Sequence, residues 1–278
     1  MDINLFIKQA FAEDFGDGDH TSQSTIPANA QGKAKLLVKQ NGIIAGVDLA
    51  KQIFSQLDPN LKVTITINDG EKIAIEDVVF TVEGSSRSIV MAERLVLNCM
   101  QRMSGIATNT SQYVEKLSGL KTKILDTRKT TPNFRYFEKL AVKIGGGENH
   151  RMGLYDMIMI KDNHVDFSGG IEKAIDSVHA YLKANNKNLK IEIEVRNLTE
   201  LQQVLNHGGV HRIMLDNYNY ADLRKAVEMI DGKYETEASG GITIENIREY
   251  AECGVDYISV GALTHQIKSL DLSLKAIN

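Results

Sequence analysis

The chain has 278 residues, is 42% hydrophobic and 24% charged, and carries a formal net charge of −4. Its length is enough to bury the core of one large domain or of two smaller ones. The acidic balance argues against a general nucleic-acid binder, and no apolar run is long enough for a transmembrane helix. The first residues lack the apolar core of a secretory signal peptide, and two cysteines do not suggest a disulfide framework. We therefore expect a cytoplasmic protein that binds neither nucleic acid nor membrane.

The first 105 or so residues contain short segments in which apolar and polar residues alternate, which predicts β-strands with largely antiparallel pairing. These segments are GKAKLLVKQNGIIAG, LKVTITINDGEKI and IEDVVFTVEGS. Helical patterns occur in NLFIKQAFAED and VDLAKQIFSQL. The pattern predicts a small mixed α/β domain.

A long helical pattern follows in SIVMAERLVLNCMQRMSGIATNTSQYVEKL. Leu95, Cys99, Met103 and Ile106 recur there at roughly helical spacing. Gly105 is a candidate position for a bend or a break in this helix.

The remaining sequence alternates between strand-like and helical segments, which predicts parallel strands joined by crossover helices. The strand-like segments are TKILDT, DMIMIKD, LKIEIEV, HRIMLDN, TEASGG and DYISVGA. Six or seven such units form either a barrel or an open sheet, and the pattern alone does not decide between them. The first strand is not followed by G-x-G-x-x-G, which argues against a dinucleotide-binding unit.

Polar residues stand at the ends of these strand-like segments, where parallel α/β proteins build their sites. The cations at or near these ends are Arg128, Lys129, His150, Arg151 and Lys161. Such a group suits a ligand with several negative charges. An ordinary ion pair with an acid of the next helix is the alternative reading for Lys129.

Two glycine-containing segments predict a phosphate-binding site. ASGG and VGALTH follow the last two strand-like segments and place Ser239, Gly240, Gly241 and Gly261 at helix starts. The triplet Gly145–Gly147 lacks the GK[ST] of a P-loop, so we expect a loop whose backbone bends sharply or approaches a ligand.

Glu194 and Asp216 end neighbouring strand-like segments and could act as an acid and a base or hold Mg²⁺. The adjacent phosphate site favours Mg²⁺. Glu192 points to the same face of its strand as Glu194, so either could be the ligand. No Cys/His spacing indicates zinc, and no nucleophile motif is present.

The motifs DTRKTTP, GGGENHRMGLYD, IKDNH, EIEV, MLDNY, EASGGIT and DYISVGALTH occur in this order. Together with AEDFGDGDHTS and AERLVLNCMQRMSGIAT, they resemble the quinolinate phosphoribosyltransferase family over nearly the whole chain. The resemblance implies an α/β protein with an N-terminal α/β sandwich domain, residues 1–106, and an incomplete barrel of the seven-stranded type, residues 107–266. The tail 267–278 is expected to return to the first domain.

The resemblance also implies the reaction. Quinolinate and phosphoribosyl pyrophosphate would give nicotinate mononucleotide, carbon dioxide and pyrophosphate in NAD biosynthesis, with Mg²⁺, in a homodimer whose active sites are completed across the interface. The family's site residues then map onto this chain by motif. The quinolinate pocket would contain Arg128, Lys129, His150, Arg151, Lys161 and Arg94, the last donated by the neighbouring subunit. Glu194 and Asp216 would face ribose and metal, and Ser239, Gly240, Gly241 and Gly261 would bind the 5′-phosphate. Lys129, Lys161, Glu194 and Asp216 are the expected catalytic group.

Leu140 departs from the family, in which an aromatic residue is more usual, although we expect no effect on the site. Three other readings remain. The first is a related phosphoribosyltransferase, either one acting on nicotinate, which would need fewer cations, or the family-like protein associated with molybdate transport. The second is a non-catalytic barrel that binds phosphometabolites. The third is an aldolase in which Lys161 forms a Schiff base.

Overall fold

The computed structural model describes residues 1–277, which divide into two compact units. The helices are α1 (Ile3–Phe15), α2 (His20–Thr25), α3 (Val47–Leu57), α4 (Ser86–Lys116), α5 (Arg135–Ile144), α6 (Asp162–Ser168), α7 (Ile171–Ala184), α8 (Leu198–His207), α9 (Tyr220–Ile230), α10 (Ile247–Ala251) and α11 (Ala262–His265). The strands are β1 (Gln31–Val38), β2 (Gly42–Ile43), β3 (Lys62–Ile65), β4 (Lys72–Ile73), β5 (Val78–Ser85), β6 (Lys123–Leu125), β7 (Ile158–Ile160), β8 (Ile191–Val195), β9 (Arg212–Asp216), β10 (Glu235–Ser239), β11 (Tyr257–Ser259) and β12 (Leu272–Ile277).

The first unit is built on a four-stranded antiparallel sheet in the order β12-β1-β5-β3. Leu36 in the middle of β1 pairs with Leu274 on one side and with Phe80 on the other. Leu36 and Phe80 are fully buried, and the ring of Phe54 from α3 meets Phe80 edge-on at 5.9 Å. Burial of these large apolar side chains stabilises the sheet against the helix.

Helix α4 is continuous through Gly105, so the helix does not break there. A side chain at Gly105 would collide with the backbone oxygen of Lys268. The glycine therefore lets the segment after residue 267 pass close to the helix. This segment continues into β12, which pairs with β1.

The second unit contains a six-stranded parallel sheet in the order β6-β11-β10-β9-β8-β7. The chain passes through β7 to β11 in sequence, and β11 then pairs with β6, as in a barrel. Among the described residues the sheet does not close between β6 and β7; β6 instead has a single parallel bridge, from Leu125 to Glu148, which precedes β7 in the chain. The predicted fold class, with a small first sheet and a parallel second one, is confirmed, and the parallel sheet is open.

The division of the structure differs from the predicted boundaries. The first unit comprises residues 1–111, 132–146 and the chain from 267 onward, and the second comprises residues 112–131 and 147–266. The segment 132–146, which we expected within the barrel, thus belongs to the first unit. Its helix α5 buries Phe137, whose ring lies 4.9 Å from that of Phe6 in α1. Such a contact between distant parts of the chain leaves no local signal in the sequence. None of the helices in residues 1–277 combines the length and apolarity that a membrane span requires.

Candidate active site

The carboxyl ends of the parallel strands surround a cavity of about 700 Å³ in the second unit. Eleven of the twelve residues predicted for the site line this cavity: Arg128, Lys129, His150, Arg151, Lys161, Glu194, Asp216, Ser239, Gly240, Gly241 and Gly261. They meet because parallel strands place their carboxyl ends at one edge of the sheet. The twelfth, Arg94, is an exposed residue of α4 in the first unit.

Lys161 lies between the end of β7 and the start of α6. It is the residue before the first turn of α6, and its backbone N–H donates to Nδ1 of His164 at 2.9 Å. This contact satisfies a backbone donor at the helix start and fixes the direction of the chain. The local sequence IKDNH thus ends a strand and begins a helix, with the Lys161 side chain at the cavity.

The Lys161 ammonium pairs with a carboxylate of the neighbouring strand. Its Nζ lies 2.8 Å from Oε2 of Glu194, whose side chain is only 9% exposed. Glu192, two residues earlier on β8, is fully buried and does not line the cavity. Of the two glutamates, Glu194 is therefore the one available to a ligand.

Arg128 and Arg151 bring two positive charges to the same side of the cavity. Burial lowers the pKa of Arg151, and the positive charge of Arg128 lowers it further. Within residues 1–277, neither Arg128 nor Lys129 forms an ion pair, so the ion-pair reading of Lys129 finds no support. Two neighbouring guanidinium groups that line one cavity suit an anion with more than one negative charge.

His150 lies deeper, between two buried carboxylates. Its Nε2 is 3.1 Å from Oε2 of Glu192 and 3.3 Å from Oε2 of Glu237, and both glutamates are fully buried. Burial alone would lower the pKa of His150, but the two carboxylates outweigh it and raise the pKa to about 9. Burial and the nearby Glu237 raise the pKa of Glu192 to about 7.

The other ring nitrogen of His150 is also occupied. The backbone N–H of Arg151 donates to Nδ1 at 2.7 Å, and Asp126 accepts the backbone N–H of His150 at 2.9 Å. A nitrogen that accepts a hydrogen bond carries no proton, so the contact at Nδ1 opposes protonation of both ring nitrogens. The two carboxylates at Nε2 have the opposite effect and favour the doubly protonated ring. The cluster therefore titrates as a unit. In this arrangement both ring nitrogens contact protein groups, and His150 holds the backbone of Arg151.

Arg212 completes this buried cluster, and the sequence analysis did not identify it. Its Nη1 lies 3.1 Å from Oε2 of Glu237, its Nη2 lies 3.0 Å from Oε2 of Glu235, and its guanidinium stacks 4.1 Å over the ring of Tyr257. Arg212 occupies the strand next to β8, in register with Glu192. The sequence did contain a signal for Arg212: a charged residue begins the otherwise apolar strand segment RIML, which follows the strand segment containing E-x-E.

Asp216 ends β9 and also lines the cavity. Its Oδ2 accepts a hydrogen bond from Nδ2 of Asn217 at 2.6 Å. The turn after β10 follows, with Gly240 at φ +95° and Gly241 at φ +62°. These left-handed conformations favour glycine, and the turn brings peptide groups rather than side chains to the cavity wall.

The glycine triplet that precedes His150 serves mainly to pack the chain. A side chain at Gly145 would collide with the backbone oxygen of Ala107 in α4, so close helix contact requires glycine there. Gly146 has φ +91° and makes the sharp turn that we expected. Neither residue lines the cavity, so the alternative role of approaching a ligand is not seen for them.

The comparisons with known proteins agree over both units. Residues 19–104 match the profile described as quinolinate phosphoribosyl transferase, N-terminal domain, and residues 106–275 match its C-terminal domain. The chain is 46% identical to quinolinate phosphoribosyltransferase [decarboxylating] 1b of Nicotiana tabacum, over 99% of this chain and 82% of the relative. It is 40% identical to the probable nicotinate-nucleotide pyrophosphorylase [carboxylating] of Bacillus subtilis, over 99% and 93%.

A solved structure is similar in both fold and sequence. The crystal structure of NadC from Streptococcus pyogenes superposes with a TM-score of 0.93 at 37% identity, covering 99% of this chain and 97% of that one. With family profiles matching most of the sequence, the chain belongs to the quinolinate phosphoribosyltransferase family.

Proposed function

We propose that this chain transfers the phosphoribosyl group of phosphoribosyl pyrophosphate to quinolinate and decarboxylates the product. The products are nicotinate mononucleotide, carbon dioxide and pyrophosphate, which is a step of NAD synthesis. The observation that carries the proposal is the cavity itself, which is lined by Arg128, Arg151 and Lys161 together with Asp216 and the glycine turn at Gly240. The names of the relatives, decarboxylating phosphoribosyltransferases of quinolinate, support the same reaction.

The cations of the cavity suit an acceptor with two carboxylates. Burial lowers the pKa of Arg151 most, the positive charge of Arg128 lowers it further, and a dianion would relieve the repulsion between the two guanidinium groups. A mono-acid such as nicotinate would leave part of the charge uncompensated. Lys161 already forms an ion pair with Glu194, which is not the free amine that a Schiff-base aldolase requires.

The carboxylates of Glu194 and Asp216 fit a role as ligands of Mg²⁺. One oxygen of Glu194 contacts Lys161 and one oxygen of Asp216 contacts Asn217, so each carboxylate keeps a second oxygen. In enzymes that bind phosphorylated substrates, Mg²⁺ is commonly held by one or two protein carboxylates together with substrate phosphate oxygens and water. When bound, the ion would neutralise charge on the pyrophosphate leaving group.

The side chains of the cavity would act by binding and orientation. Arg128, Lys129 and Arg151 would hold the quinolinate carboxylates, so that the pyridine nitrogen faces the ribose carbon. The carboxylates of Glu194 and Asp216 would stabilise positive charge that develops on the ribose ring. Once the ring nitrogen is bonded to ribose it is positively charged, and this charge stabilises the electron pair that stays on the adjacent ring carbon when its carboxylate leaves as carbon dioxide; a proton from solvent then bonds to that carbon.

We further propose a cytoplasmic homodimer in which Arg94 reaches the cavity of the partner subunit. Arg94 is exposed on α4, as a residue that serves a neighbouring copy must be. Both cysteines are free and buried, which suits a reducing compartment.

Turnover of the purified protein tests the proposal directly. Phosphoribosyl pyrophosphate and Mg²⁺ are supplied with quinolinate in one reaction and with nicotinate in another, and the mononucleotide and carbon dioxide are measured. Product and carbon dioxide from quinolinate alone are expected. Turnover of nicotinate alone would contradict the di-acid assignment, and no turnover of either by the folded protein would contradict catalysis.

A further inference from the structure

We propose that Asn217 is a positioning residue that fixes the carboxylate of Asp216 relative to the glycine turn after β10. The inference rests on the proposed function, in which Asp216 serves the ribose and metal side of the site and the turn binds phosphate. Asn217 lies between these two parts and touches both.

The first contact is with the carboxylate. The side-chain amide of Asn217 donates from Nδ2 to Oδ2 of Asp216 at 2.6 Å. This occupies one carboxylate oxygen and restricts rotation of the carboxyl group. Because the donor is a neutral amide, it orients Asp216 and leaves the negative charge of the carboxylate intact. A lysine or arginine in its place would neutralise that charge.

The second contact joins neighbouring strand ends. The backbone N–H of Asn217 donates to the backbone oxygen of Ser239 at 2.8 Å, one residue beyond the pairing of Asp216 with Ser239. Asn217 has φ +56°, a left-handed conformation that asparagine tolerates better than most residues other than glycine. The bond therefore continues the pairing of β9 and β10 into the loops that line the cavity.

The third contact explains the residue type at position 240. A Cβ built on Gly240 would collide with Oδ1 of Asn217 and lie 3.0 Å from its backbone nitrogen. Gly240 thus leaves room for the asparagine amide, whose two ends then meet the glycine turn and Asp216. If the turn moves when phosphate binds, the Asn217 side chain would transmit that movement to the Asp216 carboxylate.

Replacement by glycine separates the side chain from the backbone conformation. Asn217→Gly keeps the left-handed φ accessible but removes the amide. The matched control is Asn186→Gly, because Asn186 also has positive φ, at 49°, and lies outside the cavity. Asn217→Asp is a second variant, which keeps the shape but replaces the donor by a negative acceptor next to Asp216.

The readout is a comparison of the two substrates. For Asn217→Gly we expect kcat/KM for phosphoribosyl pyrophosphate to fall by about tenfold or more, with a higher Mg²⁺ requirement. Quinolinate affinity, measured by calorimetry without the second substrate, and the melting temperature should stay at the values of the control. Asn217→Asp should show the same selective loss, and more strongly.

Two results would overturn the inference. One is kinetics of Asn217→Gly equal to those of Asn186→Gly. The other is a loss in Asn217→Gly that is as large for quinolinate affinity as for kcat/KM with phosphoribosyl pyrophosphate, together with a lower melting temperature. That result would indicate a structural role only. Calorimetric binding of phosphoribosyl pyrophosphate distinguishes failure of this inference from failure of the proposed function, since it requires no turnover. Equal binding by the wild-type protein and Asn217→Gly would contradict this inference, whereas no binding by the wild-type protein would contradict the proposed function.

Discussion

Nζ of Lys161 lies 2.8 Å from Oε2 of Glu194, across the neighbouring strands β7 and β8. The side chain of Lys161 is 45% exposed and that of Glu194 is 9% exposed, so the pair lies at the wall of the cavity with the lysine as its more exposed member. An anion that binds Lys161 and a metal ion that binds Glu194 would both compete with this pair. The ion pair therefore couples the binding of an anionic substrate at Lys161 to the binding of a metal ion at Glu194 in the proposed reaction.

Removal of either partner of this pair should reduce turnover. We expect Lys161→Ala and Glu194→Gln each to lower kcat/KM by about a hundredfold or more, because each removes a charge that the proposed transition state requires. The double variant should lose less than the product of the two effects, since the residues share a contact. Steady-state kinetics of the three variants test this. Lys225→Ala, an exposed residue of α9, is the control, and strict additivity would contradict the coupling.

Arg128 offers a test of the quinolinate side. Arg128→Ala should lower turnover by about a hundredfold or more with an unchanged melting temperature, because the side chain is exposed in the cavity and supports no ion pair in residues 1–277. Arg128→Lys should recover only part of the activity, since an ammonium cannot bind a carboxylate in the bidentate manner of a guanidinium. Near-normal kcat/KM in Arg128→Ala would contradict the assignment, and Arg224→Ala on α9 provides the control.

The sequence was sufficient to predict the cavity cations Arg128 and Lys161, because strand-like segments end at those residues and parallel strands share one carboxyl edge. It was not sufficient for Arg212, whose importance depends on which residues of β8 and β10 lie beside β9. Gly105 and Gly145 were interpreted as sites of bending or of ligand approach, yet both allow close packing of backbone against α4. These roles depend on contacts between distant segments, which no local pattern encodes.

The buried cluster around Arg212 should contribute to stability. Arg212→Met leaves Glu192 and Glu237 without their guanidinium partner, and breaking a buried ion pair in this way costs about 3–5 kcal/mol. Lys123→Met, which removes the exposed ion pair with Glu148, should cost less than about 1 kcal/mol. Urea denaturation of both variants measures the difference. Equal stability of the two variants would show that the buried carboxylates take up protons or rearrange without cost.

The same cluster should make stability depend on pH. The folded protein raises the pKa of His150 to about 9, from an ordinary value of 6.5, so the folded state holds this proton more tightly than the unfolded state. The resulting stabilisation is fully present below pH 6.5 and is lost as the pH rises through 9, and Glu192 of the same cluster, whose pKa is raised to about 7, adds to the loss at the lower end of this range. Urea denaturation between pH 6 and pH 9.5 tests this. His150→Asn should flatten the profile and His20→Asn, at an exposed site, should leave it unchanged; a wild-type profile that rises over this range would contradict the prediction.

Hybrid dimers test the proposed donation of Arg94 across an interface. Arg94→Ala and Glu194→Gln proteins should each be nearly inactive. If Arg94 serves the partner's cavity, a mixed dimer has one site with both residues intact and one site that lacks both. Random mixing makes half of the dimers mixed, so activity should return to about a quarter of the wild-type value. If Arg94 served its own subunit, each site of a mixed dimer would lack one residue and mixing would restore nothing. Size-exclusion chromatography of the separate variants, followed by an assay after unfolding and refolding them together, therefore distinguishes the two arrangements.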